Sequence, residues 1–107
     1  MTDYYPDAYR FILIDCGDGT YLIRLFSSWS GGYLSGDEYR LNSGCTKIEE
    51  IENGYLVHGY SGSVYSIRKH QGNLNAYSSS VYARILEQEG VEEIFIEQAI
   101  ELLEEMK

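Results

Sequence analysis

The sequence predicts an α+β fold: an antiparallel sheet of about five strands built from hairpins, with a C-terminal helical region packed on one face. Three observations point there. Two dipeptides, Asp18-Gly19 and Asn53-Gly54, each stand between segments rich in apolar, β-branched and aromatic residues, and such pairs favour the positive φ values of two-residue hairpin turns. Eleven tyrosines and eleven glycines accompany a single proline, a mix that suits strands and the turns between them. Residues 91–106 repeat apolar side chains at helical period. With 107 residues and 44% hydrophobic content, the chain reads as one domain over 1–107 with one core. It divides into a β-meander over 9–70, a connector over 71–80 and a helical region over 81–106.

The first hairpin is "YRFILIDCGDGTYLIRLF", residues 9–26. A turn at Asp18-Gly19 sets Gly17 opposite Thr20 and pairs Cys16 with Tyr21, Ile14 with Ile23 and Ile12 with Leu25 on a core face. Cys16 then packs beside Ile14 and Ile23 as a small hydrophobe. The other face pairs Phe11 with Phe26, Leu13 with Arg24 and Asp15 with Leu22, a mixture that a helix would cover. Residues 27–37 lack any strand or helical period and read as a loop anchored by Trp29 and Tyr33. Short strands follow around 38–43 and 45–52.

A turn at Asn53-Gly54 sets Ile51 opposite Leu56, Glu49 opposite His58 and Lys47 opposite Tyr60. A further turn at Ser61-Gly62 sets His58 opposite Tyr65 and Leu56 opposite Ile67. Ile51, Leu56 and Ile67 then form one cross-strand row, and Glu49, His58 and Tyr65 another. The tyrosine-rich stretch "NGYLVHGYSGSVYSIRKH", residues 53–70, is thus a meander, although a carboxylate, an imidazole and a phenol in one row could also line a polar pocket.

After the polar connector, "SSVYARILEQEG" places serine before an apolar pattern at Val81, Tyr82, Ile85 and Leu86 and ends at Gly90, the marks of a short helix with a glycine stop. In the last segment Val91, Phe95, Ala99, Leu102 and Met106 gather on one side of a helix at roughly 100° per residue. Ile96, Ile100 and Leu103 widen the stripe, and Glu93, Glu97, Glu101 and Glu104 fill the opposite side. Glutamates near the helix C-terminus oppose its dipole.

Lys and Arg number 8 against 17 Asp and Glu, a net charge of -9, which disfavours direct contact with nucleic acid or anionic membrane. Charge is also segregated: Glu87 to Lys107 holds eight glutamates and one lysine, or -7 of that total. Cys16 and Cys45 match no CxxC spacing, so free thiols in a reducing cytoplasm are expected. No run is apolar enough for a signal peptide or a membrane span.

Catalytic templates fail one by one. "GYSGS", residues 59–63, has serine where a nucleophile elbow needs its last glycine, and it lies in a hairpin. "GDG" at 17–19 lacks the lysine and Ser/Thr of a phosphate loop. His58 and His70 form no metal-ligand spacing, so neither metal nor cofactor is expected, and no catalytic residue is nominated.

The leading expectation is a small acidic, non-enzymatic binding protein that docks on a basic surface of another protein. That construction suits inhibitors, immunity proteins and phage or mobile-element counter-defence proteins. Its partner-binding candidates are Glu93, Glu97, Glu101, Glu104, Trp29 and Tyr33. One alternative is a nucleotide-like small ligand in a cleft lined by His58, Tyr60, Tyr65, Trp29 and Tyr33. Another is a structural homodimer through the wide apolar face of 91–106.

Overall fold

The computed structural model describes residues 3–30 and 37–106. The fold is α+β. The described residues form strands β1 (Asp3–Tyr4), β2 (Ala8–Asp15), β3 (Tyr21–Ser30), β4 (Asp37–Leu41), β5 (Cys45–Ile51), β6 (Gly54–Gly59), β7 (Val64–Arg68) and β8 (Val91–Ile94). Two helices accompany them, α1 (Ala76–Leu86) and α2 (Ile96–Glu105). In place of one sheet of about five strands there are two sheets of four, ordered β4-β3-β2-β8 and β1-β7-β6-β5. All pairs are antiparallel except β1 with β7.

The corner between the sheets lies at residues 42–44. Asn42 is buried; its N–H donates to Leu25 O (3.0 Å), and its side-chain Oδ1 accepts the Leu25 N–H (2.8 Å). Arg24 Nε donates to the Asn42 carbonyl at 2.6 Å. The chain therefore turns off the edge of β3 with its polar groups satisfied. Gly44 has φ +142°, and a Cβ there would come within 2.6 Å of the Tyr60 ring.

The first hairpin is displaced by one residue from its expected register: Phe11 pairs with Leu25, Leu13 with Ile23, Ile12 with Arg24 and Ile14 with Leu22. Asp18-Gly19 is not a two-residue turn. Gly17 and Gly19 both take φ +86° around Asp18, in a loop closed by the Cys16 N–H donating to Thr20 O at 3.0 Å. Asp18 Oδ1 accepts the Thr20 hydroxyl and N–H, and the hydroxyl contact foremost holds the Asp18 carboxyl below its usual range. A slip of one residue exchanges partners across the faces. Phe11, Ile23 and Leu25 fill the main core, whereas Ile12, Ile14 and Phe26 face α1. Cys16 is exposed in the loop and does not pack beside Ile14 and Ile23. Residues 27–30, expected as loop, extend β3.

The second hairpin turns at Glu52-Asn53, so Ile51 meets Gly54, Glu49 meets Leu56 and Lys47 meets His58. That is a displacement of two, which preserves the faces. Gly54 serves close approach, not a positive φ, since a Cβ there would stand 1.8 Å from Ile67 O. The third hairpin has a longer loop, closed by the Gly59 N–H to Ser63 O at 2.9 Å, and pairs Val57 with Tyr65, Tyr55 with Ile67 and His58 with Val64. Neither expected row forms. Val57, Tyr65 and Ile67 point into the core.

The helical region is interrupted. α1 begins at Ala76, where Asn75 caps it by accepting the Ser78 N–H at 2.8 Å, earlier than the serine start expected near residue 80. Ser78 is buried and accepts from the Ser28 hydroxyl at 2.8 Å, docking the helix on β3. Val91–Ile94 is then an edge strand, with Val91 opposite Ile14 and Ile94 opposite Phe11. Val91 and Phe95 therefore leave the expected helical stripe. Four residues satisfy a helical and an extended pattern equally well, and the vacant edge of β2 decides between them. α2 closes the core beside β5 with Ile96, Ala99 and Leu103 buried, so much of the apolar breadth read as surplus for a homodimer is used within the chain.

Candidate functional site

α2 divides its circumference cleanly. Ile96, Ala99 and Leu103 are buried, with Ile100 and Leu102 half-buried against the same core, while Glu97, Gln98, Glu101, Glu104 and Glu105 are exposed. At roughly 100° per residue, Glu97, Glu101 and Glu104 stand within about 60° of one another. The described residues of α2 include no Lys or Arg. Glu93, expected on the same face, lies on β8 instead. It accepts the Tyr82 hydroxyl at 2.8 Å and stands 3.8 Å from Arg10 Nε, ties that join β8 to α1 and β2. Burial foremost, with the Glu93 hydrogen bond second, pushes the Tyr82 phenol well above its ordinary pKa.

Phe95 opens α2. It occupies the N-cap position, where Ser, Thr, Asp or Asn would bond the free N–H groups, and its side chain makes no capping hydrogen bond. Instead the Gln98 side chain accepts the Phe95 N–H at 2.9 Å. The ring is 56% exposed and borders a cleft of about 230 Å³ with Tyr9, Lys69, His70, Gln71, Ile96 and Glu97. Within it Tyr9 donates to Arg68 O at 2.7 Å, and burial raises its pKa to about 12. Lys69 is already engaged, paired with Glu50 and lying 4.6 Å from the Tyr55 ring centroid. His70 Nδ1 accepts the Gly72 N–H at 3.0 Å, so its remaining proton sits on Nε2 when the ring is neutral. Sequence reasoning missed Phe95 by placing it inside the helical stripe; only the start of α2 at Ile96 shows that it precedes the helix.

The other sequence candidates scatter. Trp29 is half-buried and packs with Tyr4 (centroids 6.0 Å apart), and its Nε1 donates to Tyr5 O at 3.0 Å, anchoring the N-terminal strand. Tyr65, 1% exposed, stacks on Tyr4 at 4.8 Å. Tyr33 lies outside the described residues. His58 faces outward from the second sheet with its Nε2 2.7 Å from Glu49 Oε1, and Lys47 stands 3.4 Å from the same oxygen. Those contacts, the imidazole first, hold the Glu49 carboxyl below its usual range. Tyr60 is exposed at the following loop. Trp29 and Tyr65 therefore both pack on Tyr4, while His58 lies on the opposite face of the sheet, and the aromatic cleft expected from the sequence is not assembled from them.

The two thiols are free and differ sharply. Cys45 is buried against Asn42, and burial raises its pKa to about 12; Cys16 is exposed. An aromatic disulfide reagent at neutral pH should label one thiol per chain quickly and the second only on unfolding. Two fast thiols would contradict the packing of Cys45. Among the described residues no group of three or more His, Cys, Asp or Glu is placed to hold a metal, and no helix is long and apolar enough to cross a membrane. Comparison with protein-family models, with curated proteins and with solved structures yields no match for this chain.

Proposed function

We propose that the chain is a small non-enzymatic binding protein that docks on a basic site of another protein through the exposed face of α2. The observation that carries this reading is Phe95, whose side chain makes no capping hydrogen bond and is not in the core, yet stands exposed at the rim of a cleft that Glu97 also lines. A residue that breaks a local rule without a structural return marks a functional position, and an aromatic anchor rimmed by charge is the usual composition of an interface hot spot. The exposed glutamates of α2 add long-range attraction for a cationic surface and speed the encounter. The inhibitor, immunity and counter-defence readings are versions of this one, differing in the partner's identity.

The test uses the partner that co-purifies with the intact chain. Phe95→Ala should weaken its binding by tenfold or more, and Glu97→Gln with Glu101→Gln should slow association and flatten its salt dependence. Unchanged affinity and unchanged salt dependence in both variants would remove the proposal. No specific observation favours the small-ligand reading, since His58 and Tyr65 face opposite sides of the second sheet and Trp29 stands on the first.

A further inference from the structure

The first sheet ends in two unlike edges. β8 is four residues long and carries Glu92 and Glu93, a common way of blunting an edge against unwanted pairing. β4, at the opposite edge, reads Asp37-Glu38-Tyr39-Arg40-Leu41. Its backbone orientation follows from the register. The Cys16 N–H bonds Thr20 O and the Asn42 N–H bonds Leu25 O, so even-numbered residues of β3 bond β2 and odd-numbered ones bond β4. With Ser27 opposite Arg40 and Trp29 opposite Glu38, Glu38 and Arg40 exchange hydrogen bonds with β3. Tyr39 and Leu41 direct their N–H and C=O groups away from the sheet, and no backbone bond from these groups is found among the described residues.

We infer that β4 is a self-pairing edge and that its occupant is a second copy of this chain, joined antiparallel about a two-fold axis at Tyr39. The central residues of the strand, Glu38-Tyr39-Arg40, are complementary to their own reverse. With Tyr39 opposite its twin, Glu38 falls opposite Arg40 of the partner subunit and Arg40 opposite Glu38, two opposed charge pairs on one face. The parity also fits, because the outward N–H and C=O of Tyr39 are the groups that a hydrogen-bonded central pair needs. Any other register, or a parallel one, loses these matches.

The side-chain surroundings favour the same occupant. Tyr39 stacks on buried Phe26 at 5.6 Å and meets Tyr77 of α1 at 5.9 Å, yet the two tyrosines remain 38% and 51% exposed. They lie on the α1 face, where a two-fold at Tyr39 brings the pair from each copy together and removes four aromatic rings from water. On the opposite face the Arg40 guanidinium lies 4.7 Å from the Tyr4 ring centroid. The product is one continuous eight-stranded sheet with isologous symmetry. It leaves α2, beyond the far edge, available to other partners.

Sedimentation equilibrium on the full chain tests this directly. The wild type should be dimeric at micromolar concentration. Glu38→Arg and Arg40→Glu should each raise the dimer dissociation constant at least tenfold, because like charges then oppose. Mixing the two single variants, or combining both exchanges in one chain, should restore association to within about threefold of wild type, a rescue that a merely misfolded variant cannot give. Tyr39→Pro, which removes the outward N–H together with the ring that packs on Phe26 and Tyr77, should abolish the dimer. A wild type that is monomeric at millimolar concentration overturns the inference, as does a dimer indifferent to the charge exchanges or a mixture that fails to associate.

Discussion

Replacing Gly54 with alanine is expected to cost about 3 kcal/mol or more of folding stability. The added methyl would sit 1.8 Å from Ile67 O, 2.9 Å from Ile67 C and 3.1 Å from Arg68 Cα, all backbone atoms of β7 that no rotamer change can clear. Relief requires β6 and β7 to separate at one end, which sacrifices the pairing of Gly54 with Arg68 and of Tyr55 with Ile67. Urea unfolding followed by tryptophan fluorescence measures the effect as a lowered midpoint at nearly constant slope. A loss below about 1 kcal/mol, the range of ordinary strand propensity, would show that Gly54 is there for its turn chemistry and that the close approach is wrong.

Tyr65→Ala should be comparably severe, at about 3–5 kcal/mol, whereas His58→Ala should cost less than about 1 kcal/mol. Tyr65 is in the main core with Val57, Ile67 and Phe11, and truncation leaves a cavity where its ring stacks on Tyr4. Burial, the leading influence, also raises its pKa, so the phenol stays neutral well beyond neutral pH. His58 lies on the uncovered outer face and loses mainly its contact with Glu49. The contrast tests the register of β6 and β7: had His58 and Tyr65 stood opposite each other, their side chains would share a face, and the two substitutions would cost similar amounts. Equal losses would restore that expected row.

Much of this architecture was legible in the chain itself. Strands flank each glycine-bearing turn, Tyr82, Ile85 and Leu86 form one side of a helix, and Ile96, Ala99 and Leu103 form one side of another. A covering helix was expected over the face of Phe11 and Leu13, but the one-residue slip turns those two into the main core and α1 covers Ile12, Ile14 and Phe26 instead. The candidate site was legible in part, since Glu97, Glu101 and Glu104 share a face as their spacing requires. Phe95 was not, because it stands four residues from both Val91 and Ala99 and so continues the helical apolar stripe as well as a core residue would.

Local chemistry on its own determined most of the extended and helical segments and the neighbourhoods in which the chain reverses, because backbone preference and apolar period act over a few residues and are written there; the strand at residues 27–30 was not among them. Register, sheet membership and the fate of Val91–Ile94 were decided only in the folded molecule. Each depends on a partner distant in sequence: Asn42 bridging to Leu25 divides the sheets, the Thr20 contacts of Asp18 lengthen one loop, and an open edge on β2 draws 91–94 out of a helix. A change of one residue in a loop exchanges every pairing beyond it, and the free energy that selects among such near-equal alternatives comes from burial across the whole core.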